Sequence, residues 1–337
     1  MKTNRIAVIE ARRRVAWMDE EPVPDPKAGE VLVRTDYSLI SAGTELAMFN
    51  QTHIGFSDPS QGYAKYPFRP GYAAAGTVDA CGRDVTAFKE GDRVYFHGKH
   101  QAHALLDLEK QAVFHLSDGL DSRHAPYARL AQIAATAPSV CDARAGADVC
   151  VVGLGLVGNL AAQIYRLRGA RVLGVDPVAR RCQVAEACGI EAFQGLADDA
   201  FSALETAFAK PLADVVVEAT GHPAAAAPAI ALARRRGEVA FLGSTRGKVE
   251  LDVYSLIHKP GRILRGAHMM TLPPTKDGSG LPDQASLIRE MLHWIERRAL
   301  LVEPLLTETM PADALQQAYE RLDAQPETYA SIVLDWK

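Results

Sequence analysis

Six residues, Gly153-Leu154-Gly155-Leu156-Val157-Gly158, follow the apolar run Asp148-Val149-Cys150-Val151-Val152 and open a helical pattern. In that setting each glycine has a task. The first permits a tight turn, the second lets backbone approach a pyrophosphate, and the third lets the helix pack closely on the strand. The positive helix N-terminus then faces the phosphates, so the expected phosphate cradle is Gly153, Gly155, Leu156, Val157 and Gly158. Asp176 ends the next predicted strand, eighteen positions beyond Gly158. Its carboxylate suits the adenosine ribose hydroxyls and repels a 2′-phosphate, which points to NAD over NADP. The same aspartate can cap the helix that starts at Pro177, a role compatible with the first. Arg180 and Arg181 are the counter-signal, since an arginine here can hold a 2′-phosphate, and Arg181 joins the cofactor set. Ala219-Thr220-Gly221 and Gly243-Ser244-Thr245 end two later predicted strands. Ligands sit outside such carboxyl ends, so Ala219, Thr220, Gly243 and Ser244 are expected to line the crevice; the plainer reading is strand-ending turns.

These residues need a scaffold of strands alternating with helices. Runs at 148–152, 171–175, 214–218 and 238–242, separated by alanine-rich helical stretches, predict a doubly wound parallel sheet. A helix over 122–137 leads into it. Before it, short β-branched runs at 30–35 and 76–80, and a turn feeding another strand over 91–96, predict a β-rich domain, with extended linker chemistry at 22–29. After Pro282, helices at 284–298 and 312–322 and a strand at 330–334 are expected to return to that first domain. The chain is therefore read as α/β: a β-rich domain of residues 1–121 and 283–337, interrupted by a dinucleotide-binding domain at 122–282.

At 337 residues two domains are natural, and the net charge of −4 gives no reason to expect nucleic acid or an anionic membrane as partner. Arg12-Arg13-Arg14 and Arg234-Arg235-Arg236 read as solvated faces. No signal-peptide pattern and no transmembrane run is seen. The five scattered cysteines lack a C-x-x-C pair, which fits neither a disulfide framework nor a zinc knuckle and suggests a cytoplasmic home. His97, His100 and His103 recur every third residue in strand and loop, where such steps alternate faces; exposed or site-lining histidines are expected, not a metal site.

Gly43-Thr44-Glu45, Pro70-Gly71-Tyr72-Ala73-Ala74-Ala75-Gly76, Gly91-Asp92-Arg93-Val94 and the glycine-rich loop together resemble the medium-chain dehydrogenase/reductase superfamily over nearly the whole chain. Ile40-Ser41-Ala42-Gly43-Thr44-Glu45 and Pro70-Gly71-Tyr72 look most like the branch containing the bacteriochlorophyllide (hydroxyethyl) dehydrogenase. The resemblance implies a GroES-like catalytic domain beside a Rossmann domain, a small-molecule substrate and a homodimer. It also exposes departures. Where zinc alcohol dehydrogenases place a cysteine and then a Gly-His-Glu motif, this chain has Ala42 and Gly71-Tyr72-Ala73. The third-ligand region matches Ala128-Arg129-Leu130-Ala131-Gln132, and the four-cysteine structural lobe is missing. No metal is therefore expected, because zinc needs several converging cysteine, histidine or carboxylate ligands.

By the same resemblance, Thr44 matches the hydroxyl that relays the substrate proton and Tyr72 takes the place of the zinc-binding histidine, so both are the expected catalytic pair. A phenol with an ordinary pKa near ~10 suits a proton donor; their plain roles are a turn-stabilising hydroxyl and a packed aromatic. Thr136 matches the threonine that abuts the nicotinamide ring. The proline-broken stretch 53–69 reads as a specificity loop or a solvated connector. His53, Lys65 and Arg69 from it, with His103, form the expected substrate-binding set. The leading expectation is an NAD-dependent secondary-alcohol dehydrogenase or ketone reductase acting on a polyol, sugar, cyclitol or hydroxyethyl compound. A zinc-free quinone or enoyl reductase and a nucleotide-binding protein with little catalysis stay open beside it.

Overall fold

In the computed structural model, which describes residues 3–20, 23–58 and 63–337, the β-branched runs of the first third form strands. Pro22 of the linker and residues 59–62 of the proposed specificity loop lie outside the described residues. The strands are β1 (Asn4–Ala11), β2 (Arg14–Glu20), β3 (Glu30–Leu39), β4 (Ala74–Cys81), β5 (Arg93–Phe96), β6 (His103–Asp107) and β7 (Val113–His115). Strand β6 shows the period of two: Ala104 and Leu106 are buried while His103, Leu105 and Asp107 are not fully so. Between β3 and β4 the chain forms helix α1 (Ala42–Phe49), so Thr44 and Glu45 lie in a helix, not in a turn.

The predicted helix at 122–137 is shorter and split, as α2 (Tyr127–Ala134) and α3 (Thr136–Val140). Pro126, which has no N–H to give, stands just before α2 begins. The parallel sheet follows: β8 (Asp148–Val152), α4 (Leu156–Leu167), β9 (Arg171–Asp176), α5 (Ala179–Ala187), β10 (Glu191–Gln194), α6 (Phe201–Phe208), β11 (Ala213–Glu218), α7 (Ala226–Leu232), β12 (Ala233–Phe241) and β13 (Ile263–Gly266). Every residue of β8 is buried, as expected of a strand covered on both faces. The spatial order is β10-β9-β8-β11-β12-β13 with all pairs parallel. That order reverses between β8 and β11, the switch point at which such sheets take their ligands.

Helix α8 (Gln284–Glu296) follows, then β14 (Glu308–Pro311), α9 (Leu315–Ala324) and β15 (Ile332–Asp335). Strand β15 pairs with β3 and β14, completing the order β14-β15-β3-β4-β5-β7, with β6 also on β3. The two compact units are Met1–Arg129 with Leu306–Lys337, and Leu130–Leu305. The chain thus rejoins its first unit at Leu306, later than residue 283. Buried amides hold the intervening segment to the second unit: the Gln163 side chain donates to Leu301 O at 3.0 Å and accepts from Leu301 N at 2.8 Å, and Gln132 donates to Gln284 O at 2.7 Å.

Within the first unit Ile9, Ile40, Met48, Phe49, Leu315, Tyr319 and Leu334 form one buried cluster that joins α1 and α9 to the returning strand. No helix among the described residues is long and apolar enough to cross a membrane. Leu334 is fully buried. Leu334→Ala should cost ~2–5 kcal/mol through lost burial and the cavity it leaves, read as a lowered midpoint of urea unfolding.

Candidate active site

In the second unit, the turn after β8 is built as the glycine spacing requires. Gly153 has φ +95°, and a Cβ there would stand 2.9 Å from Thr220 N; a Cβ on Gly158 would stand 1.9 Å from Gly153 O. Neither position admits a side chain. A Cβ on Gly155 would meet nothing within 4 Å, leaving the open face over which a phosphate can approach the N-terminus of α4. Two buried carboxylates hold this region. Asp176 accepts from Leu154 N and Val178 N, both at 2.8 Å, and Arg181 stands 3.4 Å away. Glu218 accepts from Thr220 N at 2.8 Å, Gly221 N at 3.2 Å and the hydroxyls of Thr220 and Thr245, so it shapes the turns after β11 and β12 together. Ala219 N donates to Val152 O, and Gly243 N to Glu218 O, both at 2.8 Å. Ser244 lies in the turn after β12, where its backbone faces Gly221. The sequence expectation anticipated the loops but not Glu218, whose role shows only once β11 and β12 lie side by side. Thr136 is fully buried at the start of α3, with a hydroxyl that has no hydrogen-bond partner.

The first unit gathers a second set of polar groups around Tyr72. Its hydroxyl donates to Ser41 Oγ, just ahead of α1. The Arg129 guanidinium stands 5.7 Å from the centre of its ring. Burial pushes the Tyr72 phenol above its ordinary value and the Glu45 charge adds to that, while the Ser41 and Thr44 hydroxyls and Arg129 pull the other way. The net direction is upward, so Tyr72 is a protonated donor at neutral pH. Tyr95, fully buried beside it, has a hydroxyl without a partner and a phenol also pushed up by burial.

Behind Tyr72 lies a buried network. Glu45 accepts from Ser41 N at 2.9 Å and from Tyr319 Oη at 2.7 Å, and His100 Nε2 stands 2.9 Å from it. His100 Nδ1 lies 2.8 Å from Ser38 Oγ, which accepts from Trp336 Nε1 at 2.8 Å. The tautomer with its proton on Nε2 satisfies every member of this chain. His100 is thus fully buried, neither exposed nor lining the site as expected of it.

The other two histidines of that spacing go elsewhere. His97 sets its ring edge-on 5.7 Å from Tyr95, and His103 pairs with Asp79 at 3.6 Å. His53 is buried, with Nδ1 accepting from Gly55 N at 3.1 Å and Nε2 lying 2.8 Å from Tyr63 Oη. It caps a short 3₁₀ turn. Lys65 and Arg69 are exposed.

The chain matches the family described as "Alcohol dehydrogenase GroES-like domain" over residues 27–124 and that described as "Zinc-binding dehydrogenase" over residues 157–280. It belongs to the medium-chain, zinc-type alcohol dehydrogenases. Members of this family take NAD(P). The chain is 28% identical to the D-guloside 3-dehydrogenase of Escherichia coli K12 over 213 residues, which cover 58% of this chain and 61% of that enzyme. To the L-galactonate-5-dehydrogenase of the same organism it is 23% identical over 95% of this chain and 96% of that one. The fold matches 2R,3R-butanediol dehydrogenase from Bacillus subtilis with a TM-score of 0.81, at 19% identity, over 98% of this chain and 99% of the other.

The family implies zinc, and the residues present do not fit it. Ala42 brings no donor atom, and the Tyr72 phenol is spent on Ser41. Arg129, from the third-ligand region, places a cation there instead of a ligand. Among the described residues no group of three or more histidine, cysteine, aspartate or glutamate side chains could hold a metal ion.

Glu45→Ala strips the acceptor from Ser41 N, His100 and Tyr319 at once. With each buried donor costing ~1–3 kcal/mol when left unpaired, the variant should lose more than ~3 kcal/mol in chemical denaturation, and Glu45→Gln distinctly less.

Proposed function

We propose that this chain is a zinc-independent, NAD(H)-linked oxidoreductase that interconverts a secondary alcohol of the polyol or sugar class and its ketone. The observation that carries this reading is Tyr72: its phenol stands in the family's metal-ligand position, donates to Ser41, and is kept protonated by burial. A protonated donor suits ketone reduction, in which a hydride adds to the carbonyl carbon and Tyr72 supplies the proton to the oxygen. In the reverse direction the carbinol hydroxyl returns that proton as the carbon gives up its hydride. Thr44 and Ser41 give the proton a hydroxyl route to and from Tyr72. The bound dinucleotide supplies the hydride chemistry; this chain supplies the cradle of Gly153, Gly155, Leu156, Val157 and Gly158 and the acceptor Asp176, with Thr136, Ala219, Thr220, Gly243 and Ser244 as further cofactor residues.

The names of the relatives, sugar-acid and guloside dehydrogenases, support a hydroxylated substrate. The likeness to the bacteriochlorophyllide branch adds hydroxyethyl compounds to the panel worth testing, and His53, Lys65, Arg69 and His103 remain the proposed substrate-side residues. The edge strand β13, with Ile263 44% accessible, supports a homodimer. Five free thiols suit a reducing compartment.

Two outcomes are expected. Tyr72→Phe should lower kcat by about 10²–10⁴-fold with NAD(H) affinity unchanged, in a protein whose elemental analysis shows no stoichiometric zinc; wild-type turnover in the variant, or one zinc per chain, overturns the reading. Wild-type kcat/KM should favour NAD(H) over NADP(H), and Asp176→Ala should narrow that preference because the carboxylate that repels a 2′-phosphate is gone. A wild-type preference for NADP(H), with enones or quinones as the substrates turned over, favours the quinone or enoyl reductase instead.

A further inference from the structure

Tyr72, Tyr95, His97 and Arg129 come from three separate stretches and meet in the first unit. Arg129, on α2, sets its guanidinium 5.7 Å from the Tyr72 ring centre. Tyr95, the third residue of β5, is fully buried, and its hydroxyl has no hydrogen-bond partner. Its ring sits edge-on to His97 at 5.7 Å and beside Phe114 at 6.1 Å. An unsatisfied buried hydroxyl is expensive, and here it lies in the field of the same guanidinium that faces Tyr72. Desolvation is the main influence on all three neighbours, raising the two phenols and lowering the His97 imidazole to about 4; the charge of Arg129 opposes the first effect and adds to the second.

We infer that Arg129 is the positive charge of this site: it stabilises the phenolate that Tyr72 becomes when it gives up its proton, in the position where the family's zinc ion would stabilise a developing oxyanion. The inference rests on the zinc-free reading above. Donation by Tyr72 leaves one negative charge in a half-buried site. Glu45 behind Tyr72 opposes that charge, and the Ser41 and Thr44 hydroxyls and the Tyr95 phenol carry none to offset it. A guanidinium, always charged and only weakly hydrated, offsets it without titrating.

The test needs no substrate. In cofactor-free protein the Tyr72 phenol is identified as the tyrosinate absorbance step that Tyr72→Phe removes, and its midpoint is then followed in Arg129 variants. Arg129→Gln should raise that midpoint by about one unit or more, as loss of a nearby opposite charge does, while Arg129→Lys should stay close to wild type. If the glutamine variant does not fold, Arg129→Met, which keeps the apolar stem, gives the same reading. An unmoved midpoint in a folded charge-free variant, or a lysine variant shifted as far as the glutamine one, overturns the inference. Failure of the proposed function shows separately, as zinc in the protein or no NAD(H)-linked turnover of any alcohol or ketone, and leaves this titration unchanged.

Discussion

The buried carboxylate of Glu45 ties together three stretches of chain that lie far apart in sequence. It sits in the first turn of α1, accepts from Ser41 just before that helix, and draws in His100 and Tyr319. Its reach extends further through backbone. His100 N donates to Pro70 O at 3.0 Å, so the strand of residues leading to Tyr72 hangs on the histidine that Glu45 holds. Ser41, whose amide Glu45 fixes, in turn receives the Tyr72 hydroxyl. Both ends of the tyrosine are therefore positioned by one acceptor. A buried carboxyl group with three partners inside a packed core is stable only while all three are in place, which makes the arrangement all-or-none.

The second unit uses the same device. Asp176 and Glu218 are buried carboxylates that each accept from two backbone N–H groups at the mouths of the parallel strands. Each converts a loop end into a fixed array of dipoles, and the glycines let those loops lie close enough to be gripped. The two units thus rest on one physical rule: a carboxylate removed from water must be surrounded by donors, and whatever supplies them is immobilised.

Sequence made the second unit far more legible than the first. Gly153, Gly158 and Asp176 are local signals, since a turn and a strand end carry their meaning within a few residues. That the sheet is parallel follows from the alternation of strands and helices, whereas its strand order does not. Glu218 was invisible because its partner Thr245 comes from another strand. In the first unit almost everything at the site is long-range. Glu45 meets Tyr319 across 274 positions, and Trp336 meets Ser38 across 298. The regular spacing of His97, His100 and His103 carried no information about their three different surroundings. Arg129 entered the reading only as the absence of a zinc ligand, because its approach to Tyr72 joins positions 57 residues apart and leaves no local motif.

The division of the chain also has a consequence for its biogenesis. Residues 130–305 are continuous, and the order in which their strands are added runs outward from β8 and β11, so this unit can complete its sheet as it leaves the ribosome. The other unit cannot. Its strand β3 waits for β15, and Glu45 waits for Tyr319, until residues 306–337 have been made. Since domains generally fold as units during synthesis, the second unit should stand finished while β3 and Glu45 of the first still lack their partners. A chain that stopped before residue 306 would keep the parallel sheet of the second unit and leave β3 without β15 and Glu45 without Tyr319.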